Sequence, residues 1–149
     1  MPPIYINTDN SNKNSKIYVA DLVGPAVAEA EAKMQSIVVK AFEKESDFTT
    51  NKIDNAKGYT LTFKVTKYAA SGRDASCTIT GDIVRFPAVT YSKAKGAGAT
   101  QDEKVMFGGT WSASASASGR TAAADCIEAV MEALVPKSFP VMKSDMARR

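Results

Sequence analysis

The fold of this protein is decided by residues 58–86, which have the sequence GYTLTFKVTKYAASGRDASCTITGDIVRF. Apolar and polar side chains alternate along both halves of this stretch, a period of two that is typical of strands with one face in the core. The positions predicted to face the core are Tyr59, Leu61, Phe63, Val65, Cys77, Ile79, Gly81 and Ile83. Between the two halves, residues 71–74 have the sequence SGRD, which favours a turn. The pattern therefore predicts a hairpin with long arms.

Two amphipathic helices are predicted on either side of this hairpin in the chain. Apolar residues recur at spacings of three and four after Pro25, a residue favoured at the first helical position, which predicts a helix over residues 25–46. A second apolar stripe follows Thr121, a good N-cap, and we expect Pro136 to end it. The second helix is therefore predicted over residues 121–135.

Two further strands complete the expected elements. Residues 17–23 form a compact apolar run between Lys16 and Gly24, which is typical of a buried strand. Residues 111–119 alternate serine with alanine after Trp111, so they predict a strand with one hydroxyl side and one small apolar side. If the alanine side faces the helices, their backbones can approach the sheet closely.

Together these elements predict an α+β fold, a two-layer sandwich with two helices on one face of a predominantly antiparallel sheet. A length of 149 residues suits one domain, and we assign this domain to residues 16–149. The expected core residues are Val19, Ile37, Val38, Phe42, Leu61, Phe63, Ile79, Ile83, Ile127, Val130 and Leu134.

The two ends of the chain are more polar. Residues 1–15 are rich in asparagine, apart from Ile4, Tyr5 and Ile6, and they predict an N-terminal arm rather than core. Because such a segment is disordered unless contacts hold it, the arm either docks on its own domain or is held by a neighbouring subunit. We expect a neighbour to hold it, with the apolar triplet as the anchor. In the tail, residues 137–149, we expect part of the chain to pack before the end frays.

One stretch between the predicted strands lacks large apolar side chains. Residues 92–104 contain Gly96 and Gly98, and they predict a mobile loop that is long enough to be functional. A phosphate-binding loop is not favoured, because no Gly-Lys-Ser/Thr sequence follows and no helix begins directly behind the glycines.

Histidine is absent from the sequence, which excludes imidazole as a base, a proton shuttle or a metal ligand. Asp125, Glu128 and Glu132 lie at spacings of three and four on the second helix, but a solvated helix face explains them better than a cation site. We therefore expect that the protein is not an enzyme and that it has no catalytic, cofactor-binding or metal-binding residues. The competing class is an enzyme built on carboxylates and lysine, with Asp82 or Glu128 as the acid.

The two cysteines, Cys77 and Cys126, provide neither a disulfide framework nor a metal ligand set. Each lies on or beside the apolar side of its predicted element. Buried, inert thiols are the preferred interpretation, and a disulfide between the two is the alternative.

The charge balance does not indicate a nucleic-acid partner. Lysine and arginine exceed aspartate and glutamate by 19 to 16, a formal net charge of +3, which is ordinary for a soluble domain. The basic candidates for such a contact are Lys64, Lys67, Lys93, Lys95, Lys137, Lys143, Arg148 and Arg149. Tyr59 and Phe63 are predicted to lie under the helices, so they offer no platform for stacked bases. The sequence also contains no run of 18 apolar residues, so no membrane span is predicted.

The sheet face opposite the helices is predicted to be rich in hydroxyl groups. Its candidate interaction residues are Thr60, Thr62, Thr78, Thr80, Ser112, Ser114 and Ser116. Such a face is most often solvated, but short side chains also form a flat surface that another sheet or helix can approach. We therefore predict a non-enzymatic, self-associating structural or accessory subunit, a homo-oligomer with other protein subunits as further partners. The alternative is a monomeric binding module that uses the loop 92–104 or the Ser/Thr face.

In its layout the chain resembles small bacterial cell-envelope domains, namely the curli-export CsgG type, the TolB N-terminal type and the YajG-like lipoproteins. The features that carry the resemblance are the strand 17–23, the helix from Pro25, the hairpin 58–86 and the closing strand, glycine and helix over 109–135. The resemblance covers about 120 residues and implies a non-enzymatic assembly or accessory role, with no functional residue carried over. The first residues lack the basic flank and apolar stretch of a secretory leader, so the sequence as written predicts a cytoplasmic protein. A periplasmic or envelope location requires a leader that has been removed.

Overall fold

The computed structural model describes residues 3–9, 25–51, 57–86, 89–93, 99–103 and 111–148. Its elements in chain order are β1 (Ile4–Asp9), α1 (Pro25–Glu43), β2 (Phe48–Thr49), β3 (Gly58–Ser71), β4 (Asp74–Phe86), β5 (Val89–Lys93), β6 (Ala99–Glu103), β7 (Trp111–Ser118), α2 (Ala122–Leu134), a 3₁₀ turn (Val135–Lys137) and α3 (Ser138–Arg148). The α+β fold class is therefore confirmed. The strand expected over 17–23 lies outside the described residues, as do Gly96 and Gly98.

Five of the described strands form one sheet, in the order β2-β1-β3-β4-β7. The predicted hairpin is present, because β3 and β4 pair antiparallel with Leu61 opposite Ile83. The strand β7 then pairs antiparallel with the outer side of β4. The strand β1 instead runs parallel to both β2 and β3, with Ile6 opposite Tyr59. Parallel neighbours need a long crossover, and the segment containing α1 provides it.

The core lies between this sheet and the helices. Nearly all of the expected core residues are buried, namely Val38, Phe42, Leu61, Phe63, Ile79, Ile83, Ile127, Val130 and Leu134. Ile37 differs from the expectation, because it is only partly buried and packs against the core from the margin of α1. Val19 lies outside the described residues. The helices cover the face that bears the apolar side chains of β3 and β4, as the alternation predicts.

The prediction for the N-terminal arm was wrong in its described part. Residues 4–9 form a strand of the chain's own sheet, and Ile4 and Ile6 are buried in the core beside the helices. Tyr5 is also buried and lies on the opposite side of the strand, where a Cβ atom on Gly58 would collide with its carbonyl oxygen. The side-chain amide of Gln35 on α1 donates to the hydroxyl oxygen of Thr8 at 2.5 Å. This segment therefore packs on its own domain, and the expectation that a neighbour holds it was wrong for residues 4–9.

The segment 92–104 is not an unstructured loop in its described part. The strands β5 and β6 pair antiparallel, with Tyr91 opposite Gln101 and Lys93 opposite Ala99. The valine, threonine and tyrosine at the start of β5 favour a strand, whereas the loop prediction rested on Gly96, Gly98 and the lack of large apolar groups. The described part of the expected loop, residues 92–93 and 99–103, thus lies in a two-stranded sheet.

The C-terminal tail packs in part and the second helix ends before Pro136, both as predicted, but the tail also forms a helix that was not predicted. Pro136 lies in the first turn of a 3₁₀ helix, where it removes no hydrogen bond that the turn needs, and a third helix, α3, follows. The ring of Phe139 packs against those of Phe42 and Phe48, with centroids 4.9 and 5.3 Å apart. Met142 is fully buried. The tail therefore adds a third helix to the two that were predicted.

Candidate functional site

The hydroxyl face is the side of the sheet that the described helices leave uncovered. All seven predicted hydroxyl positions lie on it, in strands β3, β4 and β7, and they are Thr60, Thr62, Thr78, Thr80, Ser112, Ser114 and Ser116. The threonines are half-buried by their neighbours on the sheet, whereas the serines of β7 are exposed. The face is therefore an open surface of short polar side chains.

Hydrogen bonds between strands link several of these hydroxyl groups. The hydroxyl oxygens of Thr78 and Ser114 are 2.7 Å apart across the β4–β7 pair. Thr66 lies in a β-bulge of β3, where its hydroxyl donates to the carbonyl oxygen of Thr78 at 3.3 Å and approaches the hydroxyl of Thr80 at 3.4 Å. Since each hydroxyl group both donates and accepts, these contacts fix the side chains while leaving hydrogen-bonding capacity at the surface.

The face also carries charges of both signs near its centre. Lys64 on β3 lies opposite Thr80, and Asp82 on β4 lies opposite Thr62. Asn7 on β1 extends the polar surface, because its side-chain amide donates to the hydroxyl oxygen of Thr60 at 3.5 Å. The mixture of signs gives the surface no strong preference for an anion or a cation.

The apolar triplet that we predicted as an interaction segment is divided between the two sides of the sheet, since Tyr5 shares the side of Asn7 and Thr60. Ile4 and Ile6 face the helices, and Tyr5 is buried beside Gly58. The structure thus separates Ile4 and Ile6 from the predicted hydroxyl residues, whereas Tyr5 lies on their side of the sheet but is buried. The hydroxyl residues share one open face, whereas residues 4–6 stabilise the domain itself.

The acidic residues of α2 are partly engaged within the domain. Glu128 forms an ion pair with Lys33 on α1, with 2.9 Å between Nζ of the lysine and Oε2 of the glutamate. The hydrogen bond to this carboxylate and its charge raise the pKa of Lys33 above its ordinary value. Thr121 occupies the N-cap position, but its hydroxyl donates to the carboxylate of Asp125 at 2.8 Å instead of capping a backbone amide. Among the residues that the structure describes, no group of three or more acidic or cysteine side chains could hold a metal ion.

The sequence interpretation missed a buried polar cluster beneath α3. Asp145 is 1% exposed, and Arg85 on β4 contacts both of its carboxylate oxygens, at 2.7 and 3.2 Å. The hydroxyl of Tyr59 donates to the same carboxylate at 2.5 Å. A signal for this cluster exists in the sequence, because Asp145 follows Phe139 and Met142 at a spacing of three on the apolar stripe of α3. A carboxylate at such a position needs a charged partner. The cluster fixes α3 to the end of the sheet.

The two cysteines form a disulfide. Cys77 on β4 and Cys126 on α2 are bonded, with 6.2 Å between their Cα atoms, and the bond joins the sheet to the helical layer. The alternative that the sequence left open is thus the one observed. Disulfides persist in oxidising compartments and are rare in the cytosol.

The sequence was compared with known protein families and with curated proteins. Neither the models of known protein families nor the curated proteins match this sequence. Within the described ranges, none of the helices is both long enough and apolar enough to cross a membrane. The function must therefore be inferred from the surface itself.

Proposed function

We propose that this protein is a non-enzymatic, self-associating structural or accessory subunit, and that it makes contact through the uncovered side of its sheet. The observation that carries this proposal is the hydroxyl face, a surface on strands β3, β4 and β7 that the described helices leave uncovered. Its short side chains allow another backbone to approach closely. Its linked hydroxyl groups lose little side-chain entropy when a partner binds, because they are already held in place.

The composition supports a role without catalysis. The sequence contains no histidine, and Glu128, one of the two acids considered for a carboxylate enzyme, is engaged with Lys33. The other, Asp82, lies on the open face rather than in a cleft that excludes water.

The disulfide supports a location outside the reducing cytosol. The bond between Cys77 and Cys126 is compatible with a periplasmic, envelope or extracellular site of action. The resemblance in layout to envelope domains favours the same location. We therefore propose that the subunit assembles in an oxidising compartment.

The solution mass of the protein tests self-association directly. We expect the native mass from light scattering to rise above that of a monomer with increasing protein concentration. Replacing Ser114 and Ser116 by lysine places like charges on the proposed contact surface and should return the protein to a monomer. The matched control replaces Ala32 and Ser36 on the exposed side of α1 by lysine, which adds the same charge and should leave the mass unchanged.

Two outcomes would overturn the proposal. If the unmodified protein stays monomeric at every concentration, self-association is wrong, and the monomeric binding module becomes the better interpretation. If the lysines on α1 dissociate the oligomer and those on β7 do not, the contact surface lies on the helical side instead.

A further inference from the structure

The strand β7 forms one border of the sheet. It pairs with β4 on one side, and no strand in the described part of the chain pairs with its other side. A border strand presents a row of backbone N–H and C=O groups that can pair with another strand. The opposite border is different, because its strand β2 has only two residues. Asp47, directly before β2, forms an ion pair with Lys143 at 3.2 Å. Among the described strands, the sheet therefore ends in a strand of two residues on one side and in a strand of eight residues on the other.

Charge, proline and a bulge, three features that commonly protect a border strand, are absent from β7. Its eight residues, WSASASAS, include no charged side chain and no proline. Its register with β4 runs without a bulge from Trp111 opposite Gly81 to Ser118 opposite Asp74. Natural proteins commonly protect border strands with charges, prolines, bulges or short length. A regular, uncharged strand of this length is instead suited to strand pairing.

We propose that β7 pairs antiparallel with β7 of a second copy of this chain, about a two-fold axis through Ala115. In this register Ser114 lies opposite Ser116 of the second copy, and alanine lies opposite alanine. Because directly opposed residues share a face of the sheet, the hydroxyl face continues across both copies. Serine pairs across the new border then repeat the hydroxyl contact that Thr78 and Ser114 make within one chain.

The position of α2 explains why a second copy, rather than an unrelated strand, fits this border. The helix packs over both β7 and β4, so its axis lies near the border of the sheet. Strands are about 4.8 Å apart, which places the two copies of α2 about 9 to 10 Å apart, the ordinary distance between packed helices. Glu128 contacts α1, and Ala129 and Ala133 lie on the exposed side of α2 away from that contact. Their small side chains allow the two helices to meet at this distance.

The inference rests on the proposed self-association and places its first contact at the border of the hydroxyl face, in the strand that carries Ser114 and Ser116. Its test mixes two variants, Ser114→Cys and Ser116→Cys, under mild oxidation and measures the cross-linked dimer on a non-reducing gel. Directly opposed residues on antiparallel strands are within disulfide reach, whereas two copies of residue 114 lie on a diagonal of about 7 to 8 Å. We expect about tenfold more dimer in the mixture than with either variant alone, because only the mixture brings opposed cysteines together.

A matched control separates pairing at the border from stacking of the two faces. Thr80→Cys lies on the same face but one strand inward, so its mixture with Ser116→Cys should give no dimer above background. If the mixture of Ser114→Cys and Ser116→Cys fails to cross-link while the unmodified protein is oligomeric, the border pairing is overturned and the proposed self-association stands. Equal cross-linking by Ser114→Cys alone also overturns the stated register. A monomeric unmodified protein overturns both proposals.

Discussion

Reduction of the disulfide between Cys77 and Cys126 should lower the free energy of unfolding by about 4 kcal/mol. The two residues are 49 positions apart in the sequence. Closing a loop of that length in the unfolded chain removes about 14 cal/mol/K of conformational entropy, which is about 4 kcal/mol at room temperature. Typical domains are stable by about 5 to 15 kcal/mol, so the reduced protein should remain folded with a much smaller margin.

Urea unfolding followed by circular dichroism measures this difference. With a slope near 2 kcal/mol per molar urea, the unfolding midpoint should fall by about 2 M when a phosphine reductant is added. The control is the double variant Cys77→Ala/Cys126→Ala, whose midpoint should not respond to the reductant. Equal midpoints for the oxidised and the reduced protein would refute the reasoning, because the bond would then impose no restraint on the unfolded chain.

Three further predictions concern the core and the sheet. Phe63→Ala should cost about 3 to 5 kcal/mol in the same unfolding assay, since the side chain is fully buried; a near-normal melting temperature would contradict the assigned face. Gly58→Ala should detach β1 through collision with the backbone of Tyr5, and hydrogen exchange would then speed up in β1 but not in β4. Retained protection in β1 would show that the chain relieves the collision while the two strands stay paired. Tyr59→Phe should cost about 1.5 to 3 kcal/mol, because it removes a hydrogen bond to the Asp145 carboxylate; an unchanged stability would argue against that bond.

Elements with a strong local period could be predicted from the sequence. The alternation around Phe63 and Ile79 identifies the core face of the hairpin, and the alternation of serine with alanine identifies β7 and its open side. In both cases each residue's environment follows from its immediate neighbours in the chain. The hydroxyl face was predicted for the same reason, because it is simply the other side of those strands.

The features that were missed depend on partners that are distant in the sequence. The polar composition of residues 1–15 concealed β1, whose pairing partner Tyr59 lies far along the chain. The position of Asp145 on an apolar stripe signals a buried partner, but the stripe alone does not show that the partner is Arg85. The same holds for the disulfide, since neither cysteine carries a local mark of its pairing.

The parallel pairing of β1 has a consequence for synthesis on the ribosome. Ile6 pairs with Tyr59, so β1 leaves the ribosome about 50 residues before its partner strand exists, a delay of about 3 to 10 s at ordinary elongation rates. During that interval the apolar side chains of Ile4, Tyr5 and Ile6 have no sheet to join. The nascent chain therefore presents a short apolar segment that molecular chaperones can bind. The sheet can be completed only after β3 has emerged.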